Sequence, residues 1–222
     1  MRVDRIESEL VFKDKLLGGF GIASGVLCSA GFNVRNTAGA EYVLTAGHCV
    51  PGTGNTWYVN WNKERIGVQN AYSFHDGTSG YCDGSSRACD WASIRVDGST
   101  LQPVGGVHYF NGTVRDITTS RYAAENESTD RLGTMSEDTT GGITRTHVTV
   151  NIAGRTMYGM YETNHCALGG DSGGPLVTGS TALGLLSGGT DETTCNSSAT
   201  GTYRNYFTKV QTVLNERGLH VY

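Results

Sequence analysis

Apolar positions in this 222-residue chain come in short bursts, not in long stripes. Strand-like runs recur roughly every ten to fifteen residues, separated by Gly, Asn, Asp and Ser. They read CSAGFNV at 28–34, EYVLTA at 41–46, NTWYVNW at 55–61, ASIRV at 92–96, THVTVNIAG at 146–154, GPLVT at 174–178 and ALGLLSG at 182–188. THVTVNI alternates polar and apolar, which suits a half-buried strand, whereas the unbroken ALGLL suits one buried on both faces. A helical period appears once, over 207–218, where Phe207, Val210, Val213 and Leu214 recur at the right spacing and Gly218 supplies a stop. The pattern predicts an antiparallel all-β protein with a C-terminal helix, closed as a barrel or a pair of barrels. Residues 97–140 carry the weakest pattern.

Composition agrees. Glycine accounts for 32 residues, which suits tight turns and disfavours helical bundles. A formal net charge of −4 offers no basic patch for nucleic acid. No apolar run reaches the length of a membrane helix. The six cysteines, Cys28, Cys49, Cys82, Cys89, Cys166 and Cys195, contain no CxxC pair. They read as three disulfides and not as a zinc site, so no metal is expected, and they point to an oxidising, extracellular compartment. The short Cys82–Cys89 span is the easiest local bridge. Six buried thiols in a cytosolic protein is the alternative. Residues 1–15 are charged and read as a pro-segment remnant or an N-terminal extension.

Four glycines surround one Asp-Ser pair in CALGGDSGGPLV, 166–177. A serine hydroxyl attacks only when a base stands beside it, and the usual base is a histidine oriented by a buried carboxylate. LTAGHC, 44–49, puts His48 directly after a strand and beside Cys49. RACDWASIRV offers Asp90 at the mouth of an apolar strand, with Asp83 and Asp97 as nearby alternatives.

Taken together, TAGHC, then DWASI, then GDSGGP resemble the chymotrypsin-like serine proteases. CSAGFNVR at 28–35, the cysteine six residues before Ser172, SGG at 187–189 and GLHVY at 218–222 resemble the bacterial secreted branch, the streptogrisin and α-lytic type. The resemblance covers about 16–61, 89–96 and 166–222. It implies two antiparallel six-stranded β-barrels, over 16–105 with His48 and Asp90 and over 106–222 with Ser172 and the C-terminal helix. It implies an endopeptidase with a His48, Asp90, Ser172 triad and no cofactor. The Gly170 and Ser172 N–H groups would form the oxyanion hole. Ala167, Leu168, Gly169, Ser187, Gly188 and Gly189 would bind substrate, and Cys28–Cys49 and Cys166–Cys195 would be bridged.

No acid stands just before Gly170, and Gly188 and Gly189 leave the pocket open, so large apolar or aromatic residues before the cut are expected. Arg204, in the segment after Cys195, is the one feature that would favour an acidic residue there. The branch's arginine partner for Asp171 is absent from GTMSEDTT, 133–140. Arg131, Arg145 or Arg155 would have to replace it, or else an amino terminus freed at LLGG, 16–19. The expected partners are polypeptide substrates, with a pro-segment or protein inhibitor besides, acting on a secreted monomer. An ester-cleaving enzyme and a protease-like binding protein without activity are the rival readings.

Overall fold

The computed structural model describes residues 14–50, 52, 54–74, 80–81, 90–97, 100–190, 192–195 and 203–222. Cys82, Cys89 and Asp83 lie outside them.

One sheet runs in the order Leu219–His220, Asn33–Asn36, Glu41–Thr45, Trp91–Val96, Arg65–Ser73, Thr56–Val59, Gly21–Ala23, Leu27–Ser29. Leu27–Ser29 at one end and Asn33–Asn36, next to last at the other, are halves of a single interrupted strand, 27–36, so the sheet closes on itself. The break comes at Gly31, where a Cβ would lie 2.3 Å from Leu185 and 2.8 Å from the Gly173 carbonyl. The expected single strand over 28–34 is therefore two strands, because the serine-bearing turn presses on its middle.

The second sheet runs Thr119–Ser120, Thr181–Gly189, Pro175–Thr178, Ser128–Gly133, Glu137–Ile152, Arg155–Thr163, Asn205–Lys209. Thr181–Gly189 also pairs with Asn205–Lys209, which closes a six-stranded ring. This is the all-β, two-barrel architecture. Three short pairings are parallel, against the expectation of purely antiparallel ladders: Asp14–Gly18 with Leu101–His108, Thr119–Ser120 with Thr181–Gly189, and Gly80–Tyr81 with Arg155–Thr163. The expected boundary at 105–106 falls inside Leu101–His108.

Three apolar clusters hold the barrels. Ile22, Val43, Trp57, Val59, Ile66 and Ile94 fill the first. Ile143, Tyr161, Leu176, Leu183, Leu186 and Phe207 fill the second. Phe32, Leu44, Trp91, Val107, Leu132, Leu185 and Val213 form the seam between them. The ALGLL run explains itself here: Leu183 and Leu186 face one barrel while Ala182 and Leu185 face the seam.

The helix is shorter than expected, Val210–Arg217, and Gly218 caps it in the left-handed region at φ +61°. Phe207–Lys209 stays extended, because two neighbouring strands claim its backbone hydrogen bonds. After the helix, Leu219–His220 returns to the first sheet, and Tyr222 settles against Gly105, where a Cβ would fall 1.3 Å from the Tyr222 carbonyl oxygen. LLGG is no exposed junction. Leu16 and Leu17 are buried and Leu16–Gly18 lies in a strand.

Candidate active site

The strand Glu41–Thr45 ends in a single tight turn, Gly47–Cys49. A Cβ on Gly47 would sit 2.0 Å from the Ser73 carbonyl oxygen and 2.8 Å from that of Trp91. Glycine thus lets this turn press between two strand ends, and one of those strands begins next to Asp90. The Cys28–Cys49 disulfide fixes the far side, with Cα atoms 6.4 Å apart.

Asp90 is fully buried. One carboxylate oxygen accepts from His48 Nδ1 at 2.8 Å and the other from the His48 backbone N–H at 2.9 Å. The Thr208 hydroxyl donates to the Asp90 carbonyl at 2.8 Å and accepts the Asp90 N–H at 3.2 Å. Its single proton is committed to that carbonyl, so Ser187 Oγ, 3.2 Å away, donates to Thr208. Burial of the imidazole lowers its pKa, but the Asp90 charge and hydrogen bond outweigh this and hold it above the ordinary 6.5, while Arg155 works downward. A carboxylate accepting at Nδ1 keeps the proton there and leaves Nε2 as the basic lone pair. Asp97 is elsewhere, paired with Arg65 on the surface.

Ser172 is held by its backbone. Its carbonyl accepts the Ser29 N–H at 2.8 Å, and the neighbouring Gly173 N–H donates to Leu186 at 2.8 Å. Gly173 has φ +83°, and a Cβ there would lie 2.1 Å from Thr45 Oγ1 and 2.7 Å from the Ala46 N. The serine turn therefore abuts the strand end just before His48. Gly170 has φ +103°. Among the described residues, the N–H groups of Gly170 and Ser172 have no acceptor within the chain.

Asp171, also fully buried, is met by Arg131 at 3.3 Å. Its carboxylate also accepts the N–H groups of Met135, Ser136 and Leu168 at 2.8, 3.2 and 2.8 Å, and the Ser136 hydroxyl. Of the candidate partners, Arg131 occupies the place. Arg145 pairs instead with Glu162, and Arg155 lies over Phe74.

Beside Ser172 is a cleft of about 180 Å3 lined by Ala167, Leu168, Gly169, Gly188 and Gly189, all expected, and by Leu186, Thr190, Glu192 and Asn205, which the sequence reading missed. Leu186 and Asn205 come from strands that meet only in the fold, Gly189 pairing with Asn205, and Thr190 and Glu192 follow the first of these strands. The Ser187 side chain is buried and turned to Thr208, so it is not among those that line the cleft. The Arg204 side chain is exposed and its carbonyl accepts the Thr190 N–H at 2.9 Å, so Asn205 and not Arg204 forms that wall. Cys166–Cys195, with Cα atoms 5.6 Å apart, is bridged near the cleft wall at Ala167. Gly188 and Gly189 pair on one side with Tyr206 and Asn205, while ladder pairing on the other side ends at Leu185. That leaves an open strand edge beside the cleft.

Two closed barrels, with a buried carboxylate on a histidine at their seam and a glycine-flanked serine alongside, define the class of chymotrypsin-like serine proteases. The Trypsin family model matches residues 22–215, and the chain belongs to that family, among its bacterial members. It is 39% identical over 169 residues to Serine protease 2 of Streptomyces fradiae, covering 75% of this chain and 89% of that one. It is 36% identical over 174 residues to Glutamyl endopeptidase 2 of Streptomyces griseus, covering 78% and 85%. Among solved structures it is similar to a glutamic acid specific serine protease described as using a histidine triad in substrate binding, with TM-score 0.78, 33% identity and coverage of 93% and 100%. The protein is a serine endopeptidase and acts on polypeptides.

Proposed function

We propose that His48, Asp90 and Ser172 form the catalytic triad and that the cleft beside Ser172 takes large apolar or aromatic residues before the cut. The Asp90–His48 pair at 2.8 Å, set against the serine turn, carries the reading. Nε2 of His48 removes the Ser172 proton as Oγ attacks the peptide carbonyl. Asp90 keeps the tautomer and stabilises the imidazolium. The uncommitted N–H groups of Gly170 and Ser172 receive the developing oxyanion; one such donor is worth about 3–4 kcal/mol of barrier. His48 then protonates the leaving amine, and water releases the acyl group by the same steps. The open edge of 187–189 accepts the substrate backbone as an added strand. No cofactor enters the scheme, and the two disulfides fit an enzyme secreted from the cell.

The relatives' names favour a second reading, acidic specificity. The cleft argues against it: among the described residues its lining holds no histidine, lysine or arginine, and includes Glu192. A carboxylate substrate would meet like charge and no cationic partner. A panel of chromogenic peptides differing in the residue before the cut decides. Cleavage of Phe, Tyr and Leu peptides, abolished by Ser172→Ala, is expected. Preference for Glu peptides would overturn the pocket assignment and leave the triad standing. Full activity in Ser172→Ala would overturn the triad.

A further inference from the structure

The hairpin of Glu137–Ile152 and Arg155–Thr163 turns at Ala153 and Gly154, both at positive φ. The Arg155 guanidinium carbon lies 4.1 Å from the centroid of the Phe74 ring. The Phe74 ring meets the His48 imidazole edge to face, with centroids 5.6 Å apart. Phe74 follows directly on Arg65–Ser73 of the first barrel, so the stack runs from a hairpin of the second barrel to the histidine of the first. On its other side the tip approaches the substrate edge: Ile152 Cγ2 is 3.7 Å from where a Gly188 side chain would begin.

We propose that Arg155 is a positioning residue for His48, acting through the Phe74 ring. The proposal rests on the assignment of His48 as the general base. The π face of Phe74 holds the guanidinium, and the ring packs the imidazole into one orientation. The fixed cation opposes the positive charge that His48 gains when it takes the serine proton. Asp90 acts in the other direction, and among the described residues these two are the charges acting on the ring. Burial and Arg155 push the His48 pKa down while the carboxylate pushes it up. A base restrained in this way stays unprotonated further into the acid range and gives its proton more readily to the leaving amine.

Titration of the His48 imidazole by NMR in a Ser172→Ala background tests this and reads the ring whether or not the chain cleaves anything. Arg155→Gln should raise the His48 pKa by roughly half a unit, as expected for a charge on the order of 10 Å away in a partly solvated site. Arg155→Lys keeps the charge and should stay near the parent. Phe74→Leu removes the aromatic face from under the guanidinium and should move the pKa part of the way; it reads the coupling even where Arg155→Gln does not fold. In the active chain the acid limb of kcat/KM should shift with the titration. An unchanged titration in folded Arg155→Gln, or in Phe74→Leu, overturns the proposal even for an active protease. An Arg155-dependent titration in a parent that cleaves nothing upholds the coupling and overturns the base assignment instead.

Discussion

Asp90 and Asp171 are both fully buried, and both accept hydrogen bonds on each carboxylate oxygen, yet they are built for different ends. Asp171 faces a permanent cation, Arg131, together with three backbone N–H groups and a hydroxyl. Its surroundings carry the same charge at every pH the protein meets. Asp90 faces a ring that changes charge, and among the described residues the donors to its carboxylate belong to His48. A carboxylate whose partner is fixed shapes the chain around it. A carboxylate whose partner titrates serves the reaction.

Removing the Asp90 charge should separate the two most sharply. Asp90→Asn is expected to lower kcat by about 10⁴-fold, because the wrong tautomer of His48 is then favoured. Its denaturant midpoint should move far less than its rate. Asp171→Asn should do the reverse. It strands the Arg131 guanidinium in the interior and costs roughly 3–5 kcal/mol of stability, read in urea unfolding. A paired Asp171→Leu, Arg131→Met variant should recover most of that stability while leaving the serine turn loose and the enzyme slow. Equal stability losses at both sites would erase the distinction.

Acid sharpens it further. His165 is buried near Arg131, and burial, with a contribution from Arg131, pushes its pKa down to about 4. The folded value is below the unfolded one of about 6.5, so the unfolded chain binds a proton that the folded chain refuses. The associated stability is whole above about pH 6.5 and drains as pH falls toward 4, on the order of 3 kcal/mol at the end of that window. His165→Gln should flatten this part of the stability profile. Activity should already be falling at higher pH, as His48, held above 6.5, becomes protonated. The smallest effect is expected from Ser187→Ala. It removes one donor from the Thr208 bridge beneath Asp90, at a cost of about 1 kcal/mol, with a few-fold loss in kcat.

The sequence made the short, local parts of the site readable. His48, Asp90 and Ser172 each sit at a strand end or turn that announces itself within six residues, and the glycines beside Ser172 have a steric reason visible in the motif. The partner of Asp171 was only narrowed to three arginines or a freed amino terminus, because the choice depends on how Ser128–Gly133 aligns with Pro175–Thr178. Leu186 and Asn205 were missed because they reach the cleft through strand pairing across the second barrel, and Thr190 and Glu192 because they follow where that pairing leads the chain. Of the long strand Glu137–Ile152 only the end was readable, in the alternation of 146–152; 137–145 escaped because Ile143 is the one buried residue there, so no alternation shows. Phe207 reads as helix by period, and only the two ladders on either side of it decide otherwise.

The return of Leu219–His220 to the first sheet sets the order in which the molecule can assemble. On a growing chain, Asn33–Asn36 is made some 180 residues before its outer neighbour Leu219–His220. Until then that edge stands uncovered, a template for unwanted pairing. Joining ends so far apart along the chain also makes the closing step slow. Refolding should therefore be slower, and more prone to aggregation, than the tightness of either barrel alone would suggest.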